Sequence, residues 1–236
     1  MLQILASDFL KMRRKWIIFL IILGPVGVIG LEAVNFFLRY DYLTKQYEKD
    51  LWGGLIDNVR YLAVPTLIIG LTIITSMIAN IEHQTNAWKQ VLALPISKIK
   101  VFMGKFALSA ILLLISSTLL AIGTVILGLI LRFPTDIPYI LLIKMMYYPY
   151  FAALTFIALQ IWLSITIKNQ AIPLTVGILG TVVSLGAGGF PDWVPYKWPT
   201  LINQWEEPIY SAMTGVLVGL LIILLGAIDF VRKDVK

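Results

Sequence analysis

The sequence predicts an all-α integral membrane protein: six transmembrane helices with both termini on one side, preceded by an amphipathic helix at the membrane surface. Three observations lead there. The 236 residues are 59% hydrophobic and only 14% charged, with a mean hydropathy of +0.87, a balance that no charged globular surface supports. Six apolar runs of about 20 residues recur along the chain, each long enough for a hydrocarbon core about 30 Å thick. None alternates as a strand would, and in lipid each must satisfy its own backbone hydrogen bonds, so the runs are expected to be helices.

Residues 1–15 come first. Leu2, Leu5, Phe9 and Met12 recur with helical spacing while Gln3, Ser7, Asp8, Lys11 and Arg14 fall largely elsewhere on the wheel, the pattern of a helix lying in the interface. The basic run resembles the start of a signal peptide, but the apolar stretch continues past Gly30 with no small-residue cleavage site, which predicts a retained span. The predicted spans are 16–38, 61–80, 106–131, 147–167, 171–190 and 211–230. Twelve of the 19 Lys and Arg fall on the side of the termini and seven on the other. That bias predicts a cytoplasmic location for both termini in a multi-pass plasma-membrane protein.

Between the first two spans, Gly53-Gly54 is expected to break any helix and leave an ordinary outer loop. Tyr139–Met146 reads either as a separate helix along the outer surface or as the start of one long helix. The outer segment 191–210 carries Trp193, Trp198 and Trp205 among four prolines and is expected to form short, partly re-entrant helices with tryptophans at headgroup depth. The cytoplasmic loop 81–105, IEHQTNAWKQVLALPISKIKVFMGK, is the longest polar interruption on its side and suits a short surface helix facing a soluble partner.

Candidate sites are few. Glu32 lies in the outer half of the first span; an intramembrane carboxylate is a functional candidate by default, unless it is hydrated near the surface or paired with Arg39. Pro25, after Gly24, predicts a kink. Gly215 and Gly219 form a GxxxG motif that serves either packing within one chain or dimerisation. There are no cysteines and one histidine, His83. Histidine- or thiol-based metal sites, nucleophilic thiols and metalloprotease motifs are therefore absent, and Gly104-Lys105 lacks the rest of a phosphate-binding loop. The expectation is a chain with no catalytic, cofactor-binding or metal site, and basic residues that report topology rather than nucleic-acid binding.

The Lys11 to Lys15 cluster, the Gly24-Pro25 pair in the first span and the inner segment from Glu82 through Trp88 to Leu94-Pro95-Ile96-Ser97-Lys98 together resemble the membrane subunits of ABC type-2 transporters. From Leu159 to Trp205 the chain looks more narrowly like the small permeases of lantibiotic and bacitracin-type self-immunity exporters. The resemblance implies a permease working with a second permease, identical or homologous, and two copies of a separate ATP-binding cassette subunit that carries the Mg-ATP. It implies that 81–105 holds a coupling helix, with Trp88, Val91, Leu92 and Pro95 as apolar anchors and Glu82, Gln84 and Lys89 as polar contacts. The implied activity is export of an amphipathic substrate, as in antimicrobial-peptide immunity or resistance. A secondary transporter would be expected to show internal repeats and broken helices around midplane ligands, and no clear repeat is present. A non-transporting component of a sensing complex is the other alternative.

Overall fold

A computed structural model describes residues 7–10, 12, 16–84 and 97–232. The described chain is helical throughout its ordered elements: α1 (Ile17–Leu38), α2 (Tyr40–Gln46), α3 (Leu51–Gln84), α4 (Lys98–Ile130), α5 (Tyr139–Ala152), α6 (Leu154–Thr166), α7 (Ala171–Leu185) and α8 (Pro208–Arg232), with 3-10 turns at Ala187–Gly189 and Pro195–Thr200. Among the described residues, five helices are long and apolar enough to cross a membrane: α1, α3, α4, the nearly continuous α5–α6 and α8. The remaining expected span, 171–190, corresponds to α7, whose 15 residues reach about 22 Å at 1.5 Å per residue.

The helices form a bundle with two ends. One end, called the loop end, carries residues 7–10 and 12, the base of segment 85–96, the α6–α7 turn and the C-terminus of α8. The other, the cap end, carries α2, the 131–138 turn and the 190–207 segment. Large apolar side chains on α1, α7 and α8, such as Phe37, Leu179 and Leu221, point outward, as helices facing lipid require.

Two differences from the sequence expectation have physical causes, and one open choice is decided. Helix α3 starts ten residues before the expected span, running straight through Gly53-Gly54. Asp50 Oδ1 accepts the Gly53 N–H at 2.8 Å and so caps the helix, while a Cβ at Gly54 would meet the Tyr47 ring; these glycines admit neighbours and break nothing. Helix α4 likewise begins at Lys98, with Ser97 Oγ accepting the Lys100 N–H at 3.4 Å. Tyr139–Met146 is the first part of α5, its Leu142 and Met146 buried against Trp52 and Leu131 in the cap-end core; the long helix, interrupted only at Ala153, is the form adopted. Helix α1 continues through Pro25.

The GxxxG motif packs within the chain. A Cβ on Gly215 would lie 2.3 Å from the Ala152 carbonyl oxygen, and one on Gly219 3.0 Å from the Leu154 carbonyl carbon. Helix α8 therefore touches backbone at the α5–α6 break, and Thr155 Oγ1 donates to the Gly215 carbonyl at 2.9 Å. Small residues allow that approach and the hydroxyl fixes its register. At the cap end Tyr196 dips inward. Its ring stacks on Phe156 at 4.7 Å and its hydroxyl sits where a Cβ at Gly180 would be.

Candidate functional site

Segment 85–96, which contains the predicted anchors Trp88, Lys89, Val91, Leu92 and Pro95, lies outside the described residues. Its two ends are defined: it leaves α3 after Gln84 and returns at Ser97. Gln84 is exposed at the end of α3. What surrounds those two ends is the most polar buried cluster of the described residues.

Lys105, two turns into α4, is 2% exposed, and its Nζ lies 2.7 Å from Oε2 of Glu82 on α3, itself 1% exposed. Asp8 Oδ2 stands 3.7 Å from the same ammonium, which joins the N-terminal residues to the pair. The neighbours are apolar: Ile78 and Ala79 one turn before Glu82, Val101, Phe102 and Leu108 around Lys105, all buried. Moving such charges out of water costs several kcal/mol each, and their attraction offsets this only when geometry is good. A short, hydrogen-bonded contact of opposite charges meets that condition. The pair fixes one register of α3 against α4 at the base of the segment, since sliding either helix by a turn would strand both charges.

The remaining contacts tie that base to α6 and α8. His83 Nε2 donates to the Ser164 carbonyl of α6 at 3.0 Å, so the ring carries its proton on Nε2. Gln170 Nε2 donates to the Ser164 and Ile167 carbonyls at 2.9 and 2.8 Å; these are carbonyls that the end of α6 leaves without helical partners. Ser76 and Ser164 hydroxyls meet at 3.3 Å. Trp162 Nε1 donates to Asp229 Oδ2 of α8 at 2.8 Å, and Lys98 Nζ reaches the Val231 carbonyl at 3.3 Å, where a cation also suits the negative end of α8. Displacement of segment 85–96 would therefore pull on α3, α4, α6 and α8 together.

Glu82 was expected to contact a partner; the structure instead buries it against Lys105 within this chain. Lys105 was read only as a topology charge, and Asp8, Trp162, Ser164 and Asp229 were not singled out. The signal available was the placement of opposite charges at facing ends of consecutive antiparallel helices, Glu82 just before the loop and Lys105 just after it. The other candidates lie elsewhere. Pro25 lines an apolar cavity between α1, α3, α4 and α5. Glu32 is buried, accepts from Asn35 Nδ2 at 3.2 Å and forms no ion pair with Arg39. Gly215 and Gly219 form the α8 contact already described.

Residues 4–184, which run from the N-terminal segment almost to the end of α7, match the model of a family described as ABC-2 family transporter protein. No curated protein matches the chain significantly.

Proposed function

The chain belongs to the ABC-2 family of transporter proteins, and from that premise we propose that it is the permease of an ATP-driven exporter in which segment 85–96 couples a separate ATP-binding subunit to the bundle. A multi-pass membrane component of that family works with an ATP-binding partner. The observation that carries the coupling reading is the buried Lys105–Glu82 contact of 2.7 Å at the root of the segment. Closure of two ATP-binding subunits would draw the two segments of a permease pair together, and the charge-fixed root would transmit that movement to α3 and α4 instead of letting it dissipate in a loop. ATP binding then shifts the bundle between inward- and outward-open populations, through its greater affinity for one of them. This reading places the loop end in the cytoplasm, in keeping with the twelve-to-seven bias of basic residues. Mg-ATP sits on the partner, and Trp88, Val91, Leu92 and Pro95 would fill its groove, with Gln84 and Lys89 at the rim. The cargo is an amphipathic molecule, in line with the likeness of Leu159–Trp205 to self-immunity permeases.

The test is a double substitution, Glu82→Gln with Lys105→Met, which removes both buried charges at once and leaves neither stranded. Reconstituted with the ATP-binding subunit, the variant should insert and bind its partner while ATP hydrolysis no longer drives transport. Transport at the wild-type rate per ATP would overturn the coupling role. Failure of the wild-type chain to recruit any ATP-binding subunit in its native membrane would overturn the exporter reading itself.

A further inference from the structure

Proline breaks the hydrogen-bond ladder of two helices beside one cavity, and side chains of α4 repair only one of the breaks. Pro25 of α1 has no N–H for the Ile21 carbonyl, and Pro149 of α5 has none for that of Met145. Helix α4 runs past both for 33 residues without a proline and presents Ser116, Ser117 and Thr118 in succession. Ser116 Oγ donates to the Ile21 carbonyl at 3.1 Å, replacing the bond that Pro25 removes. Thr118 Oγ1 accepts from Tyr147 of α5 at 3.1 Å, and Tyr150 donates to the Ala110 carbonyl of α4 at 3.0 Å. Both tyrosines pass the Met145 carbonyl by, and among the described residues no other side chain donates to it.

The cavity lies among these groups. It measures about 60 Å³ and is lined by Gly24, Pro25, Gly70, Ser117, Met145 and Pro149 among others. Gly70 opens it on the α3 side, where a Cβ would meet nothing within 4 Å. Most of the wall is apolar, but Ser117, 7% exposed, brings a hydroxyl with no hydrogen-bond partner among the described residues. Other hydroxyls of α4 are satisfied within the helix: Thr118 and Thr124 donate to carbonyls four residues back at 2.9 and 2.8 Å. A buried hydroxyl without a partner is costly. One water needs about 10–15 Å³ and two to four polar partners, so the cavity admits a small cluster. Ser117, the Met145 carbonyl and the lone pairs that Ser116 retains supply the partners.

We infer that this cavity is a water site and the hinge of the bundle: water bonds the Ser117 hydroxyl and the Met145 carbonyl, and the cap-end parts of α1 and α5 bend there against the proline-free α4. A proline in a membrane helix is tolerated where a neighbouring side chain or ordered water satisfies the carbonyl it frees, and such positions are where helices bend. Ser116 does this for α1 and water does it for α5. A bond to water re-forms at a new angle as a helix tilts, whereas a bond to a fixed hydroxyl must stretch, so α5 is the freer of the two. The hinge goes beyond the coupling reading and rests on this chain alone. Its failure would leave that reading standing.

Nuclear magnetic resonance of the whole chain in lipid nanodiscs tests the water. Magnetisation should pass from water to the backbone amides of Ser117 and Gly70 and not to that of Thr124, which is 0% exposed and about two turns further along α4. Ser117→Val, which removes the hydroxyl and fills the recess, should abolish the transfer to Gly70. No transfer at Ser117 in the wild type, equal transfer at Thr124, or undiminished transfer to Gly70 in Ser117→Val would overturn the water site. Hydrogen exchange in the same nanodiscs tests the hinge. Amides 146–152 of α5 should exchange faster than amides 113–120 of α4, and Pro149→Ala, which restores the missing N–H, should slow those of α5 toward the α4 rates. Ser116→Ala should speed exchange in α1 around Pro25 but have no such effect in a Pro25→Ala background, where the restored N–H takes the Ile21 carbonyl. Equal rates in α4 and α5, α5 rates unmoved by Pro149→Ala, or the same effect of Ser116→Ala in both backgrounds would overturn the hinge.

Discussion

The two ends of the bundle are held by different physics. At the loop end, beside bonds from His83 and Gln170 to carbonyls, the distinctive ties involve charge: Glu82 buried with Lys105 at 2.7 Å, Asp8 beside them, and Trp162 on the half-buried carboxylate of Asp229. At the cap end the ion pairs, Arg60 with Asp57 and Lys197 with Asp192, join residues three and five apart in sequence, and the other ties run mainly from a side chain to a backbone carbonyl. Trp52 Nε1 donates to Pro134 at 2.7 Å, Tyr40 to Leu131 at 3.1 Å, Trp198 Nε1 to Asp192 at 2.8 Å, and Arg60 to Thr200. Rings fill the space between, with Trp52 and Phe133 edge to face at 5.8 Å and Phe133 similarly placed on Phe36 at 6.0 Å. A carbonyl is present whatever residue supplies it, so each such cap contact depends on one side chain only. A buried ion pair depends on two, and losing one is worse than losing both. The loop end is built to resist slippage, the cap end to tolerate change at the water interface.

The sharpest break in that comparison comes from the ion pair. Lys105→Met should destabilise the protein by about 3–5 kcal/mol, because it strands Glu82 in an apolar setting. Combining it with Glu82→Gln should return most of that loss, leaving the double variant within about 1–2 kcal/mol of wild type. Unfolding titrations in mixed micelles measure the cycle. Additive losses would mean that the two charges are solvated independently, and the contrast between the ends would collapse.

Midway between the ends, the α8 contact offers a reference governed by neither charge nor hydrogen bond to a ring. Gly215→Val forces a branched side chain against the Ala152 backbone, where even a Cβ would lie 2.3 Å from the carbonyl oxygen. Backbone cannot rotate away as a side chain can, so the cost should reach about 2–3 kcal/mol, the upper part of the range for overpacking. Because the contact is inside one chain, the variant's loss should be independent of protein concentration; a loss that is relieved by dilution would point to an interface between copies.

At the cap end, Trp52→Phe removes the bond to the Pro134 carbonyl and part of a buried ring. Pro134 is exposed, so water replaces the donor and only the net value of the hydrogen bond and some packing is lost, about 1–2 kcal/mol. No second substitution should rescue it, in contrast to Lys105.

What the sequence made legible follows the same division. Long apolar runs pointed to the five membrane-length helices because lipid imposes one requirement on all of them; the density of Trp and Pro in 191–210 pointed to short helices there, and the structure has a 3-10 turn at Pro195–Thr200, but the inward turn of Tyr196 and Trp198 was not legible. The length of α3 was hidden because Gly53 and Gly54 read as breakers until Asp50 and Tyr47 are seen to use the space they leave. The ion pair was hidden for a different reason. Topology counting treats Lys105 as a point on one side of the membrane, and only the antiparallel packing of α3 on α4 brings it to Glu82, 23 residues away in sequence. The ambiguity of Gly215 and Gly219 had the same origin, since spacing shows that a close approach occurs but not what approaches.

The smallest expected effect is the purest case of cap-end behaviour. Helix α4 ends with the Phe133 N–H bonded to the Gly128 carbonyl at 3.0 Å and the Arg132 N–H to Leu129 at 3.1 Å, which closes the helix through a left-handed residue. That residue is Arg132, with φ of 60°. A side chain costs about 1–2 kcal/mol in this conformation, and glycine avoids it at the expense of greater freedom in the unfolded chain. Arg132→Gly also gives up a cation near the negative end of α4, worth about 0.3–1 kcal/mol. The balance favours glycine by about 0.5 kcal/mol, a rise of about 1–2 °C in the unfolding midpoint for a chain of this length. Arg132→Ala keeps the strained φ and still loses the charge, so its midpoint should fall. The two substitutions remove the same guanidinium and should move stability in opposite directions, which only a backbone origin explains; a fall in both would mean that the Arg132 side chain, and not the turn, holds this corner of the cap.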